Sequence, residues 1–204
     1  MPISGFFSKL FNSVPSGDLA SPGRLNASLA EGIKDQDVLV RAISIELAGK
    51  VKDTSLVPLL IEALKDPFHV IRQKAAQTLG HIGSRKALPA LIEAIEDPSD
   101  EVRVTVAGVL GYIKDKTAVP ALIAALSDKN PHARMKAAIS LGYLCDPKAI
   151  EPLAKTMKDE NELVRKYACA ALGNFGRKAV PALLEAMKEE KMREYVSESL
   201  MKIK

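Results

Sequence analysis

The residues best suited to chemistry in this sequence are acids and guanidinium groups that recur at a fixed spacing. Five aspartates and five arginines each return every 31 positions, and each aspartate precedes its arginine by six: Asp35, Arg41, Asp66, Arg72, Asp97, Arg103, Asp128, Arg134, Asp159 and Arg165. A carboxylate beside a guanidinium could serve in proton transfer or anion recognition. A catalytic site is not needed five times, so we expect these ten residues to form a structural ladder between repeated units.

Other catalytic and metal-binding patterns are missing from the sequence. It contains no HExxH, no G-x-x-x-x-G-K-[ST] and no G-x-S-x-G. The three histidines, His69, His81 and His132, have no partner at zinc-ligand spacing. Cys145 and Cys169 lie far apart and form no CxxC pair. We therefore predict a protein that is not an enzyme and that holds neither a metal nor a cofactor.

The same 31-residue period predicts paired helices as the elements that carry these residues. The first helix of each pair is typified by residues 118–126, with a proline in its first turn, where the missing N–H costs nothing. The second helix has apolar residues at positions −1, +3, +4, +7 and +10 from the repeating arginine, which is helical spacing. We expect Asp66, Asp97 and Asn130, each followed by proline, to cap second helices. We also expect five glycines, at or just after the ends of these helices, to terminate them and allow a tight reversal: Gly49, Gly83, Gly111, Gly142 and Gly176.

Helix pairs of this length cannot bury their apolar faces alone, so neighbouring pairs must stack. Six pairs are predicted, near residues 24–50, 55–82, 86–113, 117–144, 148–175 and 178–203. The first and last pairs depart most from the pattern, as the capping units of a repeat array do. The predicted fold class is therefore an all-α α-solenoid of about six helical hairpins.

These residues carry a family resemblance. The run VPxLIxALxD followed by VRxxAAxxLGxIG resembles HEAT repeats of the subtype named after phycobilisome lyases, the PBS-lyase HEAT-like repeat. The resemblance covers residues 24–203 and implies a right-handed, armadillo-type solenoid whose second helices line a concave face. Repeats of this kind serve many unrelated functions, so the resemblance predicts the fold and leaves the activity open.

The expected concave face has an unusual composition. With 100° per residue, positions +1, +2, +5 and +9 of the second helices point away from the core. Over the second to fifth pairs these sixteen positions hold no carboxylate, although the chain has 25, and they hold three of its four tyrosines. The residues we predict to bind a partner are Lys74, His81, Val104, Tyr112, Met135, Lys136, Ile139, Tyr143, Lys166 and Tyr167. Aromatic and methionine anchors beside lysines favour another protein with an acidic or amphipathic segment. The alternative is that a tightly curled superhelix makes these side chains cover one another.

The N-terminal residues form a second candidate site. Residues 1–11 have apolar residues at helical spacing, and the docking residues would be Phe6, Phe7, Leu10 and Phe11. Residues 12–23 are rich in Ser, Pro and Gly, which predicts a flexible linker before the solenoid at 24–204. The short helix could cap the first repeat, grip a partner or touch a membrane, and its single lysine gives little help with the last.

Composition narrows the function further. A net charge of +4 is mild and spread along the chain, so it does not by itself indicate nucleic acid or a membrane surface. No signal peptide or spanning segment is found, which predicts a cytoplasmic protein. The leading interpretation is a non-enzymatic scaffold or assembly factor that binds a partner protein on the concave face. The alternatives are a subunit of a phycobilin lyase-type factor that attaches or removes chromophores, and a nucleic-acid-binding HEAT-like protein.

Overall fold

The computed structural model describes residues 22–203, and the regular structure in that range is helical. The described residues form two compact units, which divide between Ala87 and Leu88. Phe6, Phe7, Leu10 and Phe11, with the rest of residues 1–21, lie outside the described residues.

Two helical hairpins make up the described part of the first unit. Its α-helices are α1 (Pro22–Ile33), α2 (Val38–Val51), α3 (Val57–Ala63) and α4 (His69–Ile82). A 3₁₀ turn at Thr54–Leu56 leads into α3, and another at Arg85–Ala87 follows α4. Each first helix packs against its second helix, and α2 packs against α4. The two hairpins are therefore stacked.

Four further hairpins make up the second unit. Its α-helices are α5 (Leu88–Glu93), α6 (Asp100–Ile113), α7 (Val119–Ala125), α8 (Pro131–Leu144), α9 (Ile150–Thr156), α10 (Glu162–Gly173), α11 (Val180–Ala186) and α12 (Arg193–Met201). Its 3₁₀ turns are Ala94–Glu96, Lys116–Ala118, Pro147–Ala149, Gly176–Ala179 and Glu190–Met192. The second helices pack side by side in the order α6, α8, α10 and α12. Stacked helical hairpins in both units confirm the all-α solenoid class predicted from the sequence.

The core of each hairpin is built from leucines that recur with the repeat. Fully buried leucines lie at one position of the first helices, Leu60, Leu91, Leu122, Leu153 and Leu183, and at one position of the second helices, Leu79, Leu110, Leu141 and Leu172. Burial of one leucine side chain stabilises the fold by about 1.5–3 kcal/mol. Alanines fill the neighbouring core positions of the second helices, among them Ala76, Ala107 and Ala138, and they let adjacent second helices approach closely.

Two of the predicted N-caps are wrong. α4 and α6 begin three residues after Asp66 and Asp97, and their N-caps are Phe68 and Ser99. Each aspartate instead closes a turn, because its Oδ1 accepts the backbone N–H two residues further on, at 2.9 Å and 2.8 Å. The proline after each aspartate disfavours helical dihedrals at the aspartate itself. Asn130 does cap its helix, since its Oδ1 accepts from His132 N at 2.8 Å.

Three of the five glycines lie inside second helices, so the prediction that they end them is wrong. Gly49, Gly111 and Gly142 belong to α2, α6 and α8. A Cβ at Gly111 would lie 2.3 Å from Ser140 Oγ, so this glycine is required for the close approach of α6 to α8. Gly83 does end α4, in the left-handed conformation with φ +70°. The corresponding left-handed residues after α2, α6 and α8 are Lys52, Lys114 and Cys145.

Candidate functional site

Each arginine of the Asp/Arg ladder first closes the turn within its own hairpin. Arg103 Nη1 donates to the carbonyl oxygens of Asp97 at 2.8 Å and Pro98 at 3.3 Å. The arginines that bind their own turns in the same way are Arg41, Arg72, Arg134 and Arg165. These bonds satisfy carbonyl groups that a sharp turn leaves without backbone partners.

Three of these arginines also join neighbouring hairpins within a unit. The pairs seen within a unit are Arg41–Asp66, Arg103–Asp128 and Arg134–Asp159. Arg103 holds Asp128 with two parallel bonds, from Nε to Oδ2 at 2.6 Å and from Nη2 to Oδ1 at 2.9 Å. Both side chains are about nine-tenths buried. A buried, two-pronged pair of this kind is specific in geometry, and removal of one partner leaves an uncompensated charge.

The ladder arginines lower the pKa values of the carboxyl groups that they bind, both within the ladder and at the neighbouring Asp100. Hydrogen bonds from Asn130 and Arg103 lower the pKa of Asp100 to about 2. Burial alone would raise the pKa of Asp128, but bonds from Arg103 and from the Asn130 backbone outweigh burial and lower it. The pKa of Asp159 is lowered in the same way, by hydrogen bonds from Arg134 and from the Asn161 backbone. These carboxylates are held in the charged form, which suits an ion-pair framework and not a proton-transfer group.

The ladder changes at its two ends. Asp35 accepts from Asp37 N at 2.8 Å and so keeps the turn geometry at the first hairpin. Arg165 binds the two carbonyls of its own turn, but its Nε is buried with no hydrogen-bond partner among the described residues. The shortened turn of the last hairpin places Glu189 and Glu190 where the aspartate would be expected, and Lys191 Nζ lies 3.4 Å from Glu189.

The sixteen positions predicted to point away from the core are all at least partly exposed. Tyr112 and Tyr143 are exposed at 67% and 60%, and Tyr167 at 37%. The alternative that these side chains are buried against one another therefore fails for Tyr112 and Tyr143, while Tyr167 is the most covered of the three. Exposed aromatic side chains on neighbouring helices are common in contact surfaces.

Five of the predicted partner-binding residues line one groove in the second unit. Tyr112 comes from α6, Lys136, Ile139 and Tyr143 come from α8, and Tyr167 comes from α10. We call this depression of about 760 Å³ the tyrosine groove. Its remaining lining residues are Gly108, Gly111, Lys114, Ser140, Ala170, Ala171, Asn174 and Lys202.

The tyrosine groove is cationic and has an apolar floor. Among the residues that the structure describes, three lysines line it and no carboxylate does. Glycine and alanine at its floor leave room between the tyrosines, so an extended chain or a helix side chain could contact their rings. The groove can therefore bind apolar and anionic groups together, and its lining has no nucleophile paired with a base.

The other predicted partner-binding residues lie elsewhere. Val104, Met135 and Lys166 are on the second helices but do not line the groove, and Lys166 Nζ lies 5.8 Å from the ring centre of Tyr195. Lys74 and His81 belong to the first unit, where they line a separate depression of about 380 Å³. Lys74 Nζ is 3.2 Å from Glu46 Oε2 there, so that surface carries a carboxylate.

Sequence reasoning missed three residues near this surface. Lys114 and Lys202 follow the ends of α6 and α12 and line the groove. Tyr195 lies at +2 from Arg193, the register of Tyr167, and its hydroxyl donates to Glu162 Oε1 at 2.5 Å. This bond raises the pKa of Tyr195. Continuing the +2 register into the shortened last hairpin would have identified Tyr195.

The remaining reactive groups assemble no other site in the part of the chain that the structure describes. No cluster of three or more His, Cys, Asp or Glu side chains within residues 22–203 could hold a metal ion. Cys169 is fully buried with Sγ 3.4 Å from Ser199 Oγ, and burial raises the pKa of its thiol. None of the helices in residues 22–203 has the length and apolar character that a bilayer crossing requires.

Stacked helical hairpins with an exposed groove on their second helices define an α-helical repeat protein. A family model for HEAT repeats matches residues 26–103 and 88–162, together more than half of the chain. The chain belongs to the HEAT-repeat family. No curated protein sequence matches it.

Solved structures place the chain among similar solenoids. The complex of CpcE and CpcF of phycocyanin lyase from a Nostoc species is 26% identical, with a TM-score of 0.68 over 91% of this chain and 78% of that chain. An engineered protein is 18% identical, with a TM-score of 0.63 over 85% of this chain and 94% of that chain. A designed armadillo repeat protein in complex with the peptide (KR)4 is 17% identical, with a TM-score of 0.61 over 86% and 98%. The last two similarities concern the fold alone.

Proposed function

We propose that this protein is a non-enzymatic interaction scaffold or assembly factor whose partner protein binds in the tyrosine groove. The observation that supports this proposal is the lining of the groove, with three exposed tyrosines and three lysines and no carboxylate. Tyrosine anchors near the centre of an interface commonly contribute about 2 kcal/mol or more each. The lysines favour a partner segment that is acidic, or amphipathic with acidic residues on one side.

The residues that line the groove are suited to binding a partner and not to catalysing a reaction. The ionisable groups that line it, among the described residues, are lysines and tyrosines, which can donate hydrogen bonds, and no carboxylate, histidine or cysteine lines it with them as a proton acceptor. The carboxyl group whose pKa is strongly lowered, Asp100, accepts hydrogen bonds from Asn130 and from Arg103 of the ladder. The shifted pKa is therefore explained by the framework and not by a reaction.

Replacing the groove tyrosines tests this proposal. The partner is first identified by capture from the native host and mass spectrometry. A Tyr112→Ser, Tyr143→Ser and Tyr167→Ser variant should then lose affinity by orders of magnitude in a titration, because three anchors are removed together. Its stability should change by within about 1 kcal/mol per site, since these side chains lie outside the core. Lys136→Glu should weaken binding further, and most at low salt, where attraction is least screened.

Tyr195→Ser is the matched control, because Tyr195 lies on α12 outside the groove and is bound to Glu162. It should bind the partner normally. If the triple variant folds and binds as well as the unmodified chain, the partner uses another surface and the proposal is wrong. If the triple variant unfolds, the tyrosines stabilise the stack.

A second candidate function rests on the likeness to the complex of CpcE and CpcF of phycocyanin lyase. In this proposal the chain is one subunit of a factor that attaches or removes a bilin chromophore, and the groove would hold the pigment between tyrosine rings with its acid groups on the lysines. Mixing the purified chain with a bilin and recording the absorbance spectrum tests it. A shifted, intensified visible band supports the second function, and an unchanged spectrum removes it.

A further inference from the structure

The second unit has a basic edge that continues from the tyrosine groove. The turns that join one hairpin to the next carry five exposed cations, and a sixth follows the last second helix: Lys114, Lys116, Lys148, Arg177, Lys178 and Lys202. Each follows the end of a second helix or begins the next first helix, so all six lie at the same edge of the stack. Lys114 and Lys202 also line the groove and connect the two surfaces.

Few negative charges offset this edge. Among the described residues its carboxylates are Asp115, Asp146 and Glu151, and all three have local partners, Glu151 being 2.9 Å from Lys155 Nζ. Asp115 Oδ1 accepts from Thr117 N at 3.0 Å and from Thr117 Oγ1 at 2.8 Å. Asp146 Oδ1 accepts from Lys148 N at 3.0 Å. The field along this edge is therefore positive.

The opposite edge, formed by the turns inside each hairpin, has a different electrostatic character. It holds the aspartates of the ladder, and its buried arginines are neutralised by them. In these turns of the first three hairpins of the second unit, the exposed carboxylates outnumber the exposed cations, which are Lys129 and Lys158; the exposed carboxylates are Glu96, Glu101, Glu160 and Glu162. A bound segment thus meets positive charge at one end of the second helices and negative charge at the other.

We infer that the partner segment is bipartite and binds in one orientation. Its apolar residues occupy the tyrosine groove, and an acidic cluster at one end lies on the basic edge. The inference rests on the proposed function, since it requires the groove to be the binding site. Opposite charges at the two edges disfavour the reversed orientation, because the acidic cluster would then meet the carboxylates.

A randomised peptide-display library selected on the full chain tests the inference. Enriched peptides should carry apolar or aromatic residues flanked on one side by a run of Asp and Glu. Enriched peptides that need the tyrosines but show no acidic bias would overturn the bipartite inference and leave the proposed function standing. A library that gives no enrichment would overturn both.

Two charge-reversal variants then separate the edges. Lys116→Glu with Lys148→Glu alters the basic edge, and Lys129→Glu with Lys158→Glu makes the same change in charge at the turns inside hairpins. For an enriched peptide synthesised with a fluorophore, the first variant should lose about tenfold or more in affinity at low salt, and the second less than about twofold. Equal losses would overturn the inference, and so would tighter binding of a single-stranded oligonucleotide than of the peptide.

Discussion

At the scale of single residues, the Asp/Arg ladder combines two tasks in one guanidinium group. Nη1 closes the turn of its own hairpin, while Nε and Nη2 bind the aspartate of the next. Arg103→Ala removes both and leaves Asp128 buried without its partner. We expect a loss of about 3–5 kcal/mol in the free energy of unfolding, measured by chemical denaturation.

Arg165→Ala is a built-in comparison for that variant. Arg165 makes the same bonds to its own turn, but its Nε has no carboxylate partner within residues 22–203. Its replacement should cost less, about 1–2 kcal/mol. Equal losses for the two variants would show that the bridge between hairpins contributes nothing.

The lowered pKa values of the ladder predict an acid-sensitive fold. Asp100, Asp128 and Asp159 have pKa values below the ordinary value of about 3.9, which the unfolded chain retains. Their contribution is therefore present above about pH 4 and is lost as the pH falls towards 2, the pKa of Asp100. The melting temperature should drop steeply over that range. An Asp128→Asn, Asp159→Asn variant should be less stable at pH 7 and show a shallower drop, and an unchanged slope would contradict this account.

At the scale of elements, the second helices depend on a close approach that a small residue permits. A Cβ at Gly111 would lie 2.8 Å from the backbone Cα of Ser140. Because this clash is with the backbone, rotation of the Ser140 side chain cannot relieve it. Gly111→Ala should therefore force α6 and α8 apart and cost about 1–3 kcal/mol in thermal unfolding.

Gly108→Ala lies one turn earlier on α6 and provides the control. Its Cβ would meet only Lys136 Cδ, at 3.9 Å. Because alanine favours the helix over glycine by about 1 kcal/mol, this variant should be as stable as the unmodified chain or more so. A loss at Gly108 equal to that at Gly111 would mean that packing is not the cause.

The sequence was informative about these elements to different degrees. The recurrence of Arg103 and Arg134 fixes the register, and helical phase identifies Tyr112, Tyr143 and Tyr167 as exposed. Phase alone could not show that Gly111 faces Ser140, because that contact depends on how closely two helices approach. Nor could helical phase predict that Lys202 lines the groove, because the shortened last hairpin interrupts the 31-residue repeat from which positions are counted.

At the scale of the whole molecule, the repeat makes each hairpin depend on its neighbours and on little else. The described hairpins begin at Pro22 and bury their own leucines. A chain shortened to begin at Ser21 should therefore retain its helicity by circular dichroism, with a melting temperature close to that of the full chain. Aggregation, or a much lower melting temperature, would instead show that residues 1–11 cap the first hairpin.

The left-handed turn after α8 contains a native cysteine that a fluorescent dye can label. Cys145 is exposed in that turn, with Sγ 3.6 Å from the carbonyl oxygen of Asn174, a residue that lines the groove. The other thiol, Cys169, is fully buried. A maleimide dye would therefore label one position without any engineered cysteine, beside Tyr143 and the groove. Its emission would report occupancy of the groove directly, in a protein that has no tryptophan to serve as an intrinsic reporter.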